Sequence, residues 1–337
     1  MQQNTELEAR DHAGRRISLF LLILAGILIL FSFITFPVRY AEYDIVNVDR
    51  VIYRTEKEEP KDTVDILFAG DSLAYFDFST RTLWDTSGIA SSELGYKATH
   101  LCDTYATLAT VLQRQKPRAV ILEINSFFRR PGVKMQYTDG ASNHTKDAVV
   151  YNTYSDLFPI FRYHSLFRFW TDPYGKDLGA TFHGFVGVDK AVALKKIPDD
   201  YTNKKKKKEE ILEENLVYLN KIRDLCKAHH TALILVGAPS PVNWDYGEYK
   251  GTSEWAKANR VRYIDMNLPE YNDRIGIDWK TDTYDEGDHL NKRGAAKVID
   301  YLGKYLRKKY KLPDRRKDKR YANWDNGVAA AAGEEKH

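Results

Sequence analysis

Val64-Asp65-Ile66-Leu67-Phe68-Ala69-Gly70-Asp71-Ser72-Leu73 runs from a short apolar stretch straight into Gly-Asp-Ser. An apolar run of this length ended by glycine reads as a buried strand, and its exit can lift a serine hydroxyl clear of the sheet edge. Serine is a weak nucleophile at neutral pH. It needs an imidazole within hydrogen-bond reach and a carboxylate that holds the imidazole in the right tautomer. Near the other end of the chain, Asp285-Glu286-Gly287-Asp288-His289-Leu290-Asn291 supplies both groups. Either half alone is a common turn sequence; the two together predict a split hydrolase site.

Outward from that strand, residues 119–124 and 232–238 form further apolar runs, each preceded by a helix-like stretch. The clearest of these helices carries Leu212, Leu216, Leu219, Ile222 and Cys226 at intervals of three and four, which gives it one buried face. Residues 261–264 read as a fourth strand. Ala295, Val298, Ile299, Leu302 and Leu306 mark a terminal helix after Gly294, which puts His289 on the loop leading into it. Strands alternating with helices predict an α/β fold with a parallel sheet, whose active-site groups gather beyond the carboxyl ends of the strands.

Residues 129–203 break the alternation. They are rich in Tyr, Phe, Trp, His and Gly and are too long for a plain connection, so they read as an inserted cap. Residues 204–208 are all lysine and read as a solvated helix start, with contact to anionic wall polymer or lipid headgroups as the alternative. The basic segment 313–337 reads as a disordered tail.

Residues 17–38 carry no charge and are dense in Leu, Ile and Phe. At about 1.5 Å rise per residue they cover the roughly 30 Å of a bilayer's hydrocarbon. They lack the cleavage pattern of a signal peptide. Arg10, Arg15 and Arg16 precede the span and only Arg39 follows closely, so residues 1–16 are expected in the cytoplasm and everything from about residue 40 outside it. Residues 39–62 read as a stalk, with a strand around 45–52, and 63–312 as the folded domain. The two cysteines, Cys102 and Cys226, are expected as buried free thiols. A net charge of +4 is too small to imply nucleic acid, and no metal-ligand spacing is evident, so no metal or cofactor is expected.

The Gly70-Asp71-Ser72 block after a first strand, with Asp285 and His289 before the last helix, resembles the SGNH/GDSL hydrolase superfamily over residues 62–310. Ser87-Gly88, Val120-Ile121-Leu122-Glu123, Arg162-Tyr163-His164-Ser165 and His289-Leu290-Asn291-Lys292-Arg293-Gly294-Ala295 are similar to its membrane-anchored branch. That branch accompanies membrane-bound O-acyltransferases in polysaccharide modification, as in alginate acetylation and teichoic-acid D-alanylation. The resemblance implies a three-layer, flavodoxin-like sheet domain. It also implies Ser72 as nucleophile, His289 as general base, and an oxyanion hole from the Ser72 and Gly88 N–H groups with Asn125 as a third donor. Family spacing would put the acid at Glu286; Asp285 is favoured here, with Asp288 next. Arg162 and His164 are expected to be structural or to touch substrate.

The function implied is a serine esterase or O-acyltransferase, acetyl being the expected acyl group, acting on a cell-surface polysaccharide or teichoic acid. The alternative is a catalytically silent subunit that presents polymer to a membrane acyltransferase.

Overall fold

The strand read from residues 64–69 is paired on both sides within a five-stranded sheet. A computed structural model of the chain describes residues 2–35, 45–129 and 181–325. In chain order these form α1 (Gln2–Thr35), α2 (Ile45–Glu58), β1 (Ile66–Ala69), α3 (Ser72–Asp77), α4 (Thr80–Ser87), β2 (Ser91–Glu93), α5 (Leu101–Arg114) and β3 (Ala119–Glu123). After residue 180 come α6 (Glu213–Ala228), β4 (Ala232–Gly237), α7 (Tyr246–Asn259), β5 (Arg262–Asp265), α8 (Pro269–Ile275) and α9 (Lys292–Tyr310).

The sheet order is β2-β1-β3-β4-β5, and every strand pair in it is parallel. Strands covered on both faces have no solvent side, which is why β1, β3 and β4 are almost uninterrupted apolar runs. Their side chains alternate between two cores. Leu67, Ala69, Val120, Leu122 and Leu235 meet residues of α2, α5, α6 and α7. Ile66, Phe68, Ile121, Ile234 and Val236 meet α3, α4, α8 and α9 on the other face. The result is the expected three-layer α/β domain. Chain order reverses between β1 and β3, and in such sheets the crevice beyond the carboxyl ends at that point is where ligands bind.

α1 contains a segment, His12–Leu30, of mean hydropathy 2.0, none of it buried against the rest of the chain. It is long and apolar enough to cross a membrane.

Several expectations need correction. The segment around 45–52, read as a strand in a stalk, is helix α2: Val48 and Val51 are buried against the α5 layer, and Thr55 continues the same face. Its β-branched residues suggest a strand, but their spacing of three and four fits a helix with one buried side. Residues 204–208 are not a helix start, because α6 begins only at Glu213. Two of these lysines are held in place, Lys206 by Asp200 and Asp245, and Lys208 by Glu210 and Glu254.

Residues 313–325 are no free tail either. Trp324 is fully buried, stacks on the His183 ring at 4.3 Å and donates to the Ser91 carbonyl at 3.1 Å. Arg315 pairs with Asp65 at 2.7 Å. The basic character that suggests disorder is matched here by Asp65 on the domain and by Asp314 and Asp318 within the segment itself, and Tyr321 and Trp324 supply the apolar anchor. Residues 326–337 lie outside the described residues, as do residues 130–180 of the expected cap with Arg162 and His164. The remainder of that stretch, 181–203, forms no helix. Cys102 and Cys226 are thiols, not a disulfide, and both are buried in one core.

Candidate active site

Ser72 is the first residue of α3, one turn of chain beyond β1. Gly70 makes the exit possible: it has φ 153°, and a Cβ there would stand 2.7 Å from the Glu123 Cβ. Asp71, fully buried, caps α3 by accepting the Leu73 N–H at 3.1 Å. Its other oxygen accepts from Asn125 Nδ2 at 2.9 Å and from Arg129. Asn125 follows β3, so Ser72 and Asn125 flank the crevice where the strand order reverses.

His289 enters the same crevice from the loop before α9. The loop turns sharply at Glu286 (φ 63°) and Gly287 (φ 96°). That turn brings Asp285 back onto His289, where Oδ1 accepts the backbone N–H at 2.7 Å and Oδ2 lies 2.7 Å from Nδ1. A carboxylate on Nδ1 fixes the proton there and leaves the Nε2 lone pair available. Nε2 is buried and, among the described residues, has no hydrogen-bond partner. Asp288 stands further off, 3.6 Å from Nδ1, and accepts from Asn243 instead. Burial pushes the imidazole down. The Asp285 hydrogen bond and the charges of Asp77, Asp288 and Asp285 outweigh it and hold His289 above the ordinary histidine range.

The two halves meet through Phe76. Residues four apart share a helix face, so Ser72 and Phe76 point the same way from α3. The Phe76 ring packs edge-on against the His289 ring at 5.1 Å, and Tyr284 stacks on the imidazole's face at 5.7 Å. Among the described residues no side chain hydrogen-bonds the Ser72 hydroxyl, so the expected Ser72–His289 bond is not formed. Catalytic hydrogen bonds are often long in ligand-free enzymes and tighten around substrate.

Gly88 is not brought to this site. It ends α4, ahead of β2, and its carbonyl accepts the Arg315 N–H at 2.8 Å. Since Ser91 is level with Ile66 in the sheet, Gly88 lies at the amino end of the strands, opposite Ser72. The glycine that does approach is Gly95, after β2: a Cβ there would meet the Asp71 and Gly70 carbonyls at 2.9 and 3.1 Å. Its N–H already donates to Glu93 Oε1 at 2.7 Å, and burial pushes the Glu93 carboxyl up to about 8.

Sequence reasoning missed Gly95 because Ser91-Ser92-Glu93 is too polar to announce a strand. It also missed Ser240, after β4, whose hydroxyl donates to the Gly287 and Asp288 carbonyls at 3.2 and 2.8 Å and pins the histidine loop. No pattern of spacing signals such a contact. Asp285, Asp288 and His289 also bring potential ligand atoms close together, as do Glu58, Glu59 and His183. Arg54 reaches both Glu58 and Glu59, at 3.1 and 3.8 Å, and supplies the positive charge there.

No protein-family model matches the chain, and no curated protein matches it. Among solved structures it is similar to a protein assigned as an acylhydrolase from Bacteroides fragilis NCTC 9343, at 11% identity and TM-score 0.37, covering 81% of this chain and 99% of that one. It is also similar to a Streptococcus pneumonia protein assigned as a platelet activating factor, at 14% identity and TM-score 0.38, covering 79% and 92%. A third is a GDSL-like lipase from Bacteroides thetaiotaomicron VPI-5482, at 10% identity and TM-score 0.35, covering 79% and 98%.

Proposed function

We propose that this chain is a membrane-anchored serine esterase or O-acyltransferase that works outside the cytoplasm on a cell-surface polysaccharide. The observation that carries the reading is His289 Nε2: buried, without a hydrogen-bond partner among the described residues, backed by Asp285 on Nδ1, and held by Phe76 against the helix that Ser72 begins. Nε2 takes the Ser72 proton as Oγ attacks an acyl carbonyl. Collapse of the tetrahedral intermediate leaves the acyl group on Oγ and returns the proton to the departing oxygen. Water or a sugar hydroxyl then reverses the steps.

Oxyanion stabilisation falls to the Ser72 N–H and to Asn125. One N–H of the Asn125 amide is held by Asp71, and its second is left for the developing charge. The acyl group in this reading is acetyl. Two features support a sugar acceptor: the half-buried rings of Tyr75, Phe76 and Tyr284 beside His289, since aromatic faces suit sugar rings, and α1, which suits a protein held at a cell surface. A membrane O-acyltransferase is the partner that would supply the acyl group.

The unformed Ser72–His289 bond favours a second reading, a silent subunit that binds polymer. Purified full-length protein in detergent micelles separates the two on a chromogenic acetyl ester. Release that disappears in Ser72→Ala, with an unchanged melting curve, supports the enzyme. Equal release by Ser72→Ala and wild type rules it out.

A further inference from the structure

Asp77 ends the helix that Ser72 begins, and its side chain is fully buried. Its Oδ1 accepts the Leu290 N–H at 2.9 Å. Among the described residues this is the one hydrogen bond running directly from α3 to the loop that carries His289. Its Oδ2 is buried and, among the described residues, has no hydrogen-bond partner. Burial holds this carboxyl well above the usual carboxylate range, although the nearby His289 charge pulls it back. Towards the histidine loop the Asp77 carboxyl works as a hydrogen-bond acceptor.

Ring contacts also join the two segments, Phe76 packing against the His289 ring at 5.1 Å and against Tyr284 at 4.9 Å, and these are without direction. Ring contacts tolerate sliding; a hydrogen bond weakens steeply once its angle is lost. Misplacing a catalytic group by about 1 Å can cost about a hundredfold in rate.

We propose that Asp77 is a positioning residue: its Oδ1 fixes the Leu290 backbone on α3 and so sets the approach of His289 Nε2 to Ser72. The inference rests on the serine reading above and deepens it. Asp77 touches no reacting atom; it acts through the histidine loop.

The test compares three variants of the full chain in detergent micelles, with kcat expressed per serine titrated to completion by a fluorophosphonate. Asp77→Asn keeps an acceptor on the same stem and is expected within about threefold of wild type. Asp77→Ala removes the acceptor and is expected to lose about ten- to a hundredfold in kcat with KM within about twofold. Should the alanine variant fail to fold, Asp77→Glu takes its place: same acceptor, displaced by a methylene, same expected fall in kcat at constant KM.

Wild-type kcat in the alanine or glutamate variant would overturn the inference. So would an asparagine variant as slow as the alanine or glutamate one. A wild type that takes up no fluorophosphonate at Ser72 removes the serine reading itself and the inference with it. Labelled Ser72 with insensitive Asp77 variants removes the inference alone.

Discussion

Exchange of His289 for glutamine is expected to lower ester turnover by about four to six orders of magnitude, because without a base the Ser72 hydroxyl stays protonated as it attacks. The loss belongs in kcat, since in the proposed mechanism His289 contributes its lone pair to proton transfer and little to holding substrate. Folding is expected to survive: the loop is also held by Ser240 on the Gly287 and Asp288 carbonyls and by Asp77 on Leu290. Circular dichroism and a melting curve check the fold, and steady-state kinetics on an acetyl ester check the rate. Turnover within about tenfold of wild type would remove His289 from the mechanism.

The carboxylates behind His289 are expected to be unequal. Asp285→Asn is expected to cost about three to four orders of magnitude in kcat, because its amide can donate to Nδ1 and force the proton onto Nε2, the wrong tautomer for a base. Asp288→Asn is expected within about tenfold of wild type, since Asp288 stands 3.6 Å from Nδ1 and is engaged by Asn243. The pH profile carries the same distinction with a definite sign. A general base works in its neutral form, and His289 is held above the ordinary histidine range, so wild-type activity rises with pH through a midpoint above that range. Removing the Asp285 charge and hydrogen bond takes away two of the influences that hold His289 up, so the midpoint of Asp285→Asn moves to lower pH. A midpoint that stays put, or moves up, contradicts the assignment.

Much of this architecture is written locally. β1, β3 and β4 are legible because strands buried on both faces must be apolar throughout, and α6 and α9 because their buried faces repeat every three to four residues. Asp71 as the cap of α3 is legible for a similar reason, since an acid just ahead of a helix can accept its first free N–H groups.

What fails locally is decided by partners elsewhere in the chain. β2 is Ser91-Ser92-Glu93, a strand only because it pairs with β1 and is covered by the segment around His183 and by Trp324, so the glycine expected beside Ser72 is placed at Gly88 and not at Gly95, which does approach. α2 carries β-branched residues that argue for a strand until α5 is there to receive Val48 and Val51. The choice between Asp285 and Asp288 depends on the turn at Glu286 and Gly287, a backbone shape that residue spacing does not encode. Asp77, Ser240 and Asn243 gain their roles from contacts across the fold, and nothing in their own neighbourhoods announces them.

The central claim is that His289 activates Ser72 across the crevice between β1 and β3. Incubating the full-length protein in micelles with a fluorophosphonate, then locating the adduct by peptide mass spectrometry, tests it without any assumption about polymer, acyl group or partner. The adduct is expected on Ser72 in the wild type, and at least about a hundredfold more slowly in His289→Gln. An unmodified Ser72 in folded wild-type protein, or labelling at the same rate without His289, would contradict it.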